Sequence, residues 1–280
     1  IARAGARSGT RTSEQMEGFF GTRALVTGAS SGIGAELARQ LAARGASLVL
    51  TARSKDKLDA LASEISEKSR VGVLVVVADL ARPGGAESLA ADVDALGVPI
   101  DHLVNNAGFG DAGAFARSDA HKLDEMVRLN CEAVVVLARH FLPAMIERRR
   151  GGVLNVASTA AFQPMPYMAV YGATKAFVLS FSAALAKEVE GSGVTITALC
   201  PGPVPTGFQA AARIEPGVER IAAMSAQETA ERAIAAYATG DAVFVPGAVN
   251  RVQSVLSKFA PRGLVTSFLS AAMKRSGRAK

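Results

Sequence analysis

The chain has 280 residues, 49% hydrophobic and 20% charged, a balance that suits a globular core and excludes a disordered or fibrous polypeptide. Its net charge of +6 sits mostly in the tails, with Arg3, Arg7 and Arg11 against Glu14 and Glu17 at one end and Lys274, Arg275, Arg278 and Lys280 at the other. The body between them is near neutral, which argues against nucleic acid as a partner. Residues 1–20 read as a leader outside the fold, Arg-, Ser- and Gly-rich in the manner of a transit peptide, either disordered or vector-derived, with Met16 as the natural start. From there strands and helices alternate. Strands are expected at Arg23–Thr27, Ser47–Thr51, Gly72–Val77, His102–Asn105, Gly152–Ala157, Thr195–Cys200 and Ala242–Val245. Helices are expected at about Gly32–Arg44, Lys55–Lys68, Gly84–Leu96, His121–Arg148 and Tyr167–Glu190, and Ser225-Ala226-Gln227-Glu228 reads as a capping box opening another to Tyr237. Val73–Val77 is apolar without alternation, which predicts a strand buried on both faces.

This alternation predicts an α/β fold, a single doubly wound, Rossmann-type catalytic domain over residues 21–247, with a seven-stranded parallel sheet and helices on both faces. Residues 248–280 form an extension. Val252, Val255, Leu256 and Phe259, then Leu264, Val265, Phe268, Leu269 and Met273, predict two short amphipathic helices broken at Pro261, with Arg251, Lys258, Arg262, Lys274 and Arg275 between them. The expectation is a helical lid packed near the substrate loop, the alternative a helix pair lying on an anionic membrane. Apolar runs reach about seven residues, far short of the ~20 needed to cross a bilayer, so no spanning segment is expected. Cys131 and Cys200 show neither pairing nor metal spacing and read as ordinary buried thiols in a reducing, cytoplasmic setting. His102, His121 and His140 are expected at strand or helix surfaces, and their scatter predicts no metal site.

Chemistry concentrates at the ends of the predicted strands. After Arg23–Thr27 comes Gly28-Ala29-Ser30-Ser31-Gly32-Ile33-Gly34 and then a helix. Strand, glycine turn and helix N-terminus make a phosphate cradle, in which Gly28, Ser30, Ser31, Gly32, Ile33 and Gly34 are candidate cofactor contacts. The second strand ends in Ala52-Arg53, where a dinucleotide fold that selects the free ribose places an acid, so Arg53 favours the 2′-phosphate of NADP(H). Tyr171 and Lys175 are four apart on one helix face, so their heads can meet. A phenol with a pKa of about 10 is a poor acid–base at neutral pH. An adjacent ammonium, joined by the nicotinamide's positive charge, favours its phenolate and lets Tyr171 exchange a proton with a carbonyl/alcohol pair. Ser158, at the end of the fifth strand, can hydrogen-bond the same substrate oxygen.

The glycine turn, Asn105-Asn106-Ala107-Gly108, Asn130, Ser158 and Tyr171-Gly172-Ala173-Thr174-Lys175 together resemble the short-chain dehydrogenase/reductase family, over about Thr22–Val245. The resemblance implies that Asp79, followed by Leu80, bonds the adenine ring, and that Asn106, Ala107 and Gly108 line the adenosine side. It implies that Lys175 also holds the nicotinamide ribose, that Asn130 anchors a relay water, and that Pro201, Gly202, Val204 and Thr206 cover the nicotinamide. It further implies a homodimer or homotetramer paired through the two long helices, with Phe177, Phe181 and Leu185 as a stripe on the second.

The expected activity is hydride transfer between NADP(H) and a small-molecule apolar ketone, aldehyde or secondary alcohol. Phe109, Thr159, Ala160, Ala161, Phe162, Met165, Tyr167, Pro203 and the loop Gly207–Met224 are the expected substrate wall. The alternatives are a 3-oxoacyl thioester reductase, with Arg213 and Arg220 meeting phosphates, and a non-catalytic NADP-binding regulator. Gly28-Ala29-Ser30-Ser31-Gly32 also matches the G-x-S-x-G elbow of serine hydrolases, but no histidine follows in the C-terminal half to complete a triad.

Overall fold

A computed structural model describes residues 18–205, 207, 224–259 and 261–275. Seven parallel strands run β1 (Arg23–Thr27), β2 (Ser47–Ala52), β3 (Val73–Val77), β4 (His102–Asn105), β5 (Gly152–Val156), β6 (Thr195–Leu199) and β7 (Val243–Phe244). Their order in the sheet is β3-β2-β1-β4-β5-β6-β7. The chain therefore reverses its direction of winding between β1 and β4, which opens a crevice at the carboxyl ends of those two strands. The inner strands are apolar runs covered on both faces; every residue of β4 and β5 is buried.

The helices are α1 (Gly32–Ala42), α2 (Lys55–Ser69), α3 (Gly85–Ala95), α4 (Ala120–Val127), α5 (Ala133–Glu147), α6 (Ala169–Glu188), α7 (Ala226–Ala238), α8 (Ala248–Phe259) and α9 (Arg262–Arg275). Two buried clusters divide the sheet faces: Leu37, Leu41, Leu58 and Ile234 lie on one side, and Leu89, Leu137, Phe141 and Met145 on the other. Glu228 N donates to Ser225 Oγ at 3.0 Å, the N-cap expected from the capping box.

Three expectations are corrected. First, β3 is an edge strand with Leu74 and Val77 exposed, because it lies outermost beyond β2 with no strand on its other side. Second, the single helix expected over His121–Arg148 is interrupted by a π-helical stretch at Arg128–Glu132 that carries Asn130. Third, His102 is buried, its Nδ1 lying 2.9 Å from the Tyr237 hydroxyl and its ring packed on Phe19. Burial pushes this imidazole down to about 4, keeping it neutral. His140 and His121 do sit at the surface, beside Asp94 and Glu125.

The spans Ala120–Glu147 and Ala169–Glu188 are each long and apolar enough to cross a membrane by length and composition, with a mean hydropathy of 1.4. Both also pack in the fold: Leu137, Phe141 and Met145 of the first, and Phe181 and Leu185 of the second, lie in or against the same buried cluster.

Candidate active site

At the switch point the glycine turn is held by the end of β4. Gly28 has φ +65°, and a Cβ there would lie 2.9 Å from both Ala107 Cα and Asn106 Nδ2, so only glycine fits. Asn106 Nδ2 donates to Thr27 O at 2.9 Å and to Gly28 O at 3.2 Å. Thr27 Oγ1 accepts from Asn106 N and Ala107 N, each at 3.0 Å, and donates to Val104 O at 3.2 Å. Thr27 was not singled out in the sequence; its signal is a polar residue closing an apolar strand at the turn.

Behind the turn, α1 starts at Gly32 with Ser31 at its N-cap. The Ser31 side chain makes no capping bond, and the first turn carries no acid. Its free N–H groups and positive dipole end are thus open to an anion.

A cleft of about 490 Å3 runs from this turn across the switch point. Gly28, Ser30, Ser31, Gly32, Ile33, Arg53, Asp79, Leu80, Asn106, Ala107, Gly108, Pro201, Gly202 and Val204 all line it, as expected. Gly34 does not. A Cβ there would meet Asn106 Nδ2 at 2.3 Å and Gly28 O at 2.4 Å, so this glycine serves helix–strand packing rather than ligand contact. Thr206, Arg213 and Arg220 lie outside the described residues.

Arg53 is exposed at the end of β2 and makes no ion pair among the described residues, so its guanidinium is available to an anion. Asp79 Oδ1 accepts from Ala81 N at 3.0 Å, closing a turn; Gly84, not Asp79, caps α3. An uncapped helix end, a turn that admits only glycine and an unpaired arginine fit the pyrophosphate and 2′-phosphate of a dinucleotide.

The other half of the cleft carries the acid–base groups. Tyr171, Ser158 and Lys175 line it, and Asn130 lies buried behind Gly108. A Cβ on Gly108 would fall 3.0 Å from Asn130 Oδ1 and 3.4 Å from Lys175 Nζ, so this glycine lets both approach the cleft floor. Asn130 is fixed from three sides, accepting from Phe109 N at 3.2 Å and donating to Phe109 O and Thr174 Oγ1 at 3.0 Å each. The π-helical stretch turns its side chain out of the helix line toward this strand end.

Ser158 Oγ accepts from Ala160 N at 3.1 Å and is also hydrogen-bonded to the Tyr171 hydroxyl. Lys175 Nζ donates to Val156 O at 2.8 Å and sits 5.9 Å from the Tyr171 ring centroid.

The phenolate expected at Tyr171 is not favoured by these groups alone. Burial pushes Tyr171 up to about 12, and the Ser158 hydrogen bond opposes that only in part. Burial also brings Lys175 down to about 8. Desolvation outweighs the neighbouring ammonium because both groups are withdrawn from water and the amine spends a proton on Val156 O. The tyrosine is therefore a proton donor at neutral pH.

A second positioning feature was not anticipated. Asn105 Nδ2 donates to Asn155 Oδ1 and Asn155 Nδ2 to Ser182 Oγ, both at 2.9 Å, tying β4 and β5 to the helix that carries Tyr171. An asparagine inside the apolar run Gly152–Val156 was the available signal.

On the substrate side, Phe109, Leu129, Thr159, Ala160, Met165, Met168 and Pro203 line the cleft, with Gln163 adding an amide. Of the wall expected from the sequence, Ala161, Phe162 and Tyr167 stand outside the lining. Tyr167 instead holds φ +63° just ahead of α6, its carbonyl accepting from Gly113 N at 2.8 Å. No histidine lines the cleft among the described residues, which leaves Ser30 without the base a hydrolase needs.

A family model described as short chain dehydrogenase matches residues 22–217. The chain is 36% identical over 187 residues to a very-long-chain 3-oxoacyl-CoA reductase of Bos taurus, covering 65% of this chain and 59% of that protein. It thus spans under two thirds of the length of the curated relatives it matches first. A short-chain dehydrogenase from Sphingobium yanoikuyae in complex with NADPH superposes with a TM-score of 0.76 at 34% identity, covering 84% of this chain and 92% of that one. A bulky-bulky ketone specific alcohol dehydrogenase from Comamonas testosteroni superposes with a TM-score of 0.73 at 32% identity, covering 85% and 91%.

Proposed function

Because the chain belongs to the short-chain dehydrogenase family and carries that family's NAD(P)-binding fold, we propose that it is an NADP(H)-dependent oxidoreductase interconverting bulky apolar ketones and secondary alcohols. The observation that carries this reading is one cleft lined at one end by the Gly28 turn and Arg53, and at the other by hydrogen-bonded Ser158 and Tyr171 with Lys175. A nicotinamide bound there supplies or removes the hydride.

The chain's own groups handle the oxygen. Tyr171 gives its hydroxyl proton to the carbonyl oxygen as charge develops, and Ser158 Oγ–H bonds the same oxygen or the resulting phenolate. Lys175, brought down to about 8, is matched to give up and regain a proton near neutral pH. In the oxidative direction the same proton returns to Tyr171.

NADP(H) is favoured over NAD(H) by Arg53 and by Ala52 standing where an acid would repel the 2′-phosphate. A bulky apolar substrate is favoured by Phe109, Leu129, Met165 and Met168, whose thioethers adapt to irregular shapes. The Comamonas testosteroni structure, named for bulky-bulky ketones, supports the same substrate class.

A 3-oxoacyl thioester is the second reading, favoured by the similarity to the Bos taurus reductase. On this reading the setting is cytoplasmic; the assembly is a homodimer or homotetramer, which is supported by Phe177, half-exposed on α6 and stacked on Phe181. The two apolar spans are read as sheet-covering rather than membrane-crossing, since α6 carries Tyr171 and Lys175 into the fold.

The test is a panel of aryl and aliphatic ketones, steroid ketones and 3-oxoacyl thioesters with NADPH or NADH, followed by nicotinamide absorbance. Turnover of bulky ketones with NADPH is expected. Turnover of thioesters alone would select the second reading. NADPH binding without turnover of any of them would leave a regulator.

A further inference from the structure

Helix α8 is turned inside out for a packed helix. Asn250 and Ser254 are buried, Asn250 Nδ2 donating to Pro246 O at 3.0 Å and Ser254 Oγ to Arg251 O at 2.8 Å. Val249, Val252, Val255 and Leu256 are 65%, 57%, 48% and 62% exposed. These four positions fall on one face of a helix, so the side chains form a continuous aliphatic stripe open to solvent. On α9, Phe268 is 74% exposed, whereas Met273 is buried with Met126, Ala160, Met168 and Tyr171. A helix packed through its apolar face would bury the α8 stripe; this helix leaves it exposed.

Charge points to what covers it. Residues 248–280 hold seven cationic side chains, Arg251, Lys258, Arg262, Lys274, Arg275, Arg278 and Lys280, and neither Asp nor Glu. The preceding 247 residues carry a net −1 against +6 for the whole chain, so the positive charge is concentrated in the stretch of sequence that carries the apolar stripe.

We propose that α8 is a docking surface for an anionic lipid bilayer. Val249, Val252, Val255 and Leu256 enter the boundary between headgroups and acyl chains, while Arg251, exposed on the same helix, meets the headgroups. A second copy of the chain is the wrong occupant, because pairing through α8 would bring together two segments, residues 248–280 of each copy, that hold seven cations and no acid apiece. The stripe is also aliphatic throughout, without the tyrosine or tryptophan anchors that dominate protein–protein contacts.

The surface borders the cleft. A Cβ on Gly202, in the cleft wall, would lie 2.5 Å from Asn250 Nδ2 on the inner side of α8. An apolar substrate dissolved in the membrane would therefore reach the cleft from the docked side. The docking itself does not depend on the identity of the reaction.

The test is co-sedimentation of the full-length protein with phosphatidylcholine vesicles, with and without phosphatidylserine. Binding is expected only with phosphatidylserine, weakened at least about tenfold by high salt. The doubly substituted Val252→Glu, Leu256→Glu protein should keep its thermal midpoint, since both positions are exposed, and lose at least about tenfold in vesicle affinity. No sedimentation of the unmutated protein, or unchanged sedimentation of the variant, overturns the proposal. So does a dimer by light scattering that the variant abolishes while no vesicle binding is seen. Binding to soluble polyglutamate but not to vesicles would assign the face to an acidic protein instead.

Discussion

Lys175 makes a chemically useful site at a cost to the fold, and Lys175→Met separates the two. Lys175 is 5% exposed, and its amine donates to Val156 O at 2.8 Å. Its fall from 10.5 to about 8 corresponds to about 3 kcal/mol of folding free energy spent, at neutral pH, on keeping a buried ammonium charged. Methionine fills a similar volume without charge. It leaves Val156 O without this donor, which returns about 1 kcal/mol. The cofactor-free variant should therefore be about 2 kcal/mol more stable at pH 7, a gain of several degrees in thermal midpoint for a chain of this size, with turnover lost.

The pH dependence gives a second signature. The folded pKa is depressed, so between about 8 and 10.5 the unfolded chain binds more protons than the folded one, and the unmutated protein gains stability as pH rises. The variant's advantage is thus full below pH 8 and shrinks toward pH 10.5. Tyr171 titrates in both proteins and largely cancels in the difference. Denaturant unfolding of both proteins at pH 7 and pH 10 measures this. A variant less stable than the parent at pH 7, or an advantage that does not shrink with pH, would refute the reasoning.

Two further outcomes are expected. Arg53→Asp should move cofactor discrimination toward NADH by about 2–4 kcal/mol, read as Kd for each nucleotide; equal affinities in the unmutated protein would contradict the role given to Arg53. Gly28→Ala places a Cβ 2.9 Å from Ala107 Cα at φ +65°, so it should cost about 1–2 kcal/mol in backbone strain and lower NADPH affinity at least about tenfold. An unchanged NADPH titration would show that the turn does not touch the pyrophosphate.

Much of the site is legible in the sequence because its parts are local. Gly28 to Gly34 follow a strand and precede a helix, and Tyr171 and Lys175 share a helix face, so spacing alone places them. What depends on the sheet's lateral order is not local. Val73–Val77 reads as a doubly covered strand because an apolar run carries no information about which neighbour lies beyond it, and β3 lies at the edge. The π-helical stretch at Arg128–Glu132 is also hidden, since one widened turn leaves the apolar periodicity of the flanking helices nearly intact. The Lys175–Val156 bond and the burial of Tyr171 exist only once α6 packs on β5. For that reason adjacency to Lys175 does not by itself favour the phenolate, and the protein's own groups hold Tyr171 protonated. The α8 stripe reads the same whether it faces inward or outward, and only the burial of Asn250 and Ser254 shows that it is turned outward.

The central claim is that Tyr171 moves the substrate's proton in a cleft that also binds NADPH. It is tested most directly by Tyr171→Phe, with NADPH affinity from nicotinamide fluorescence and single-turnover reduction of a bulky ketone measured on the same preparation. The phenyl ring keeps the packing against Met126 and Met168, so NADPH should bind within a few-fold of the parent while reduction slows by at least about 10²-fold. Reduction at the parental rate by the phenylalanine variant would contradict the account.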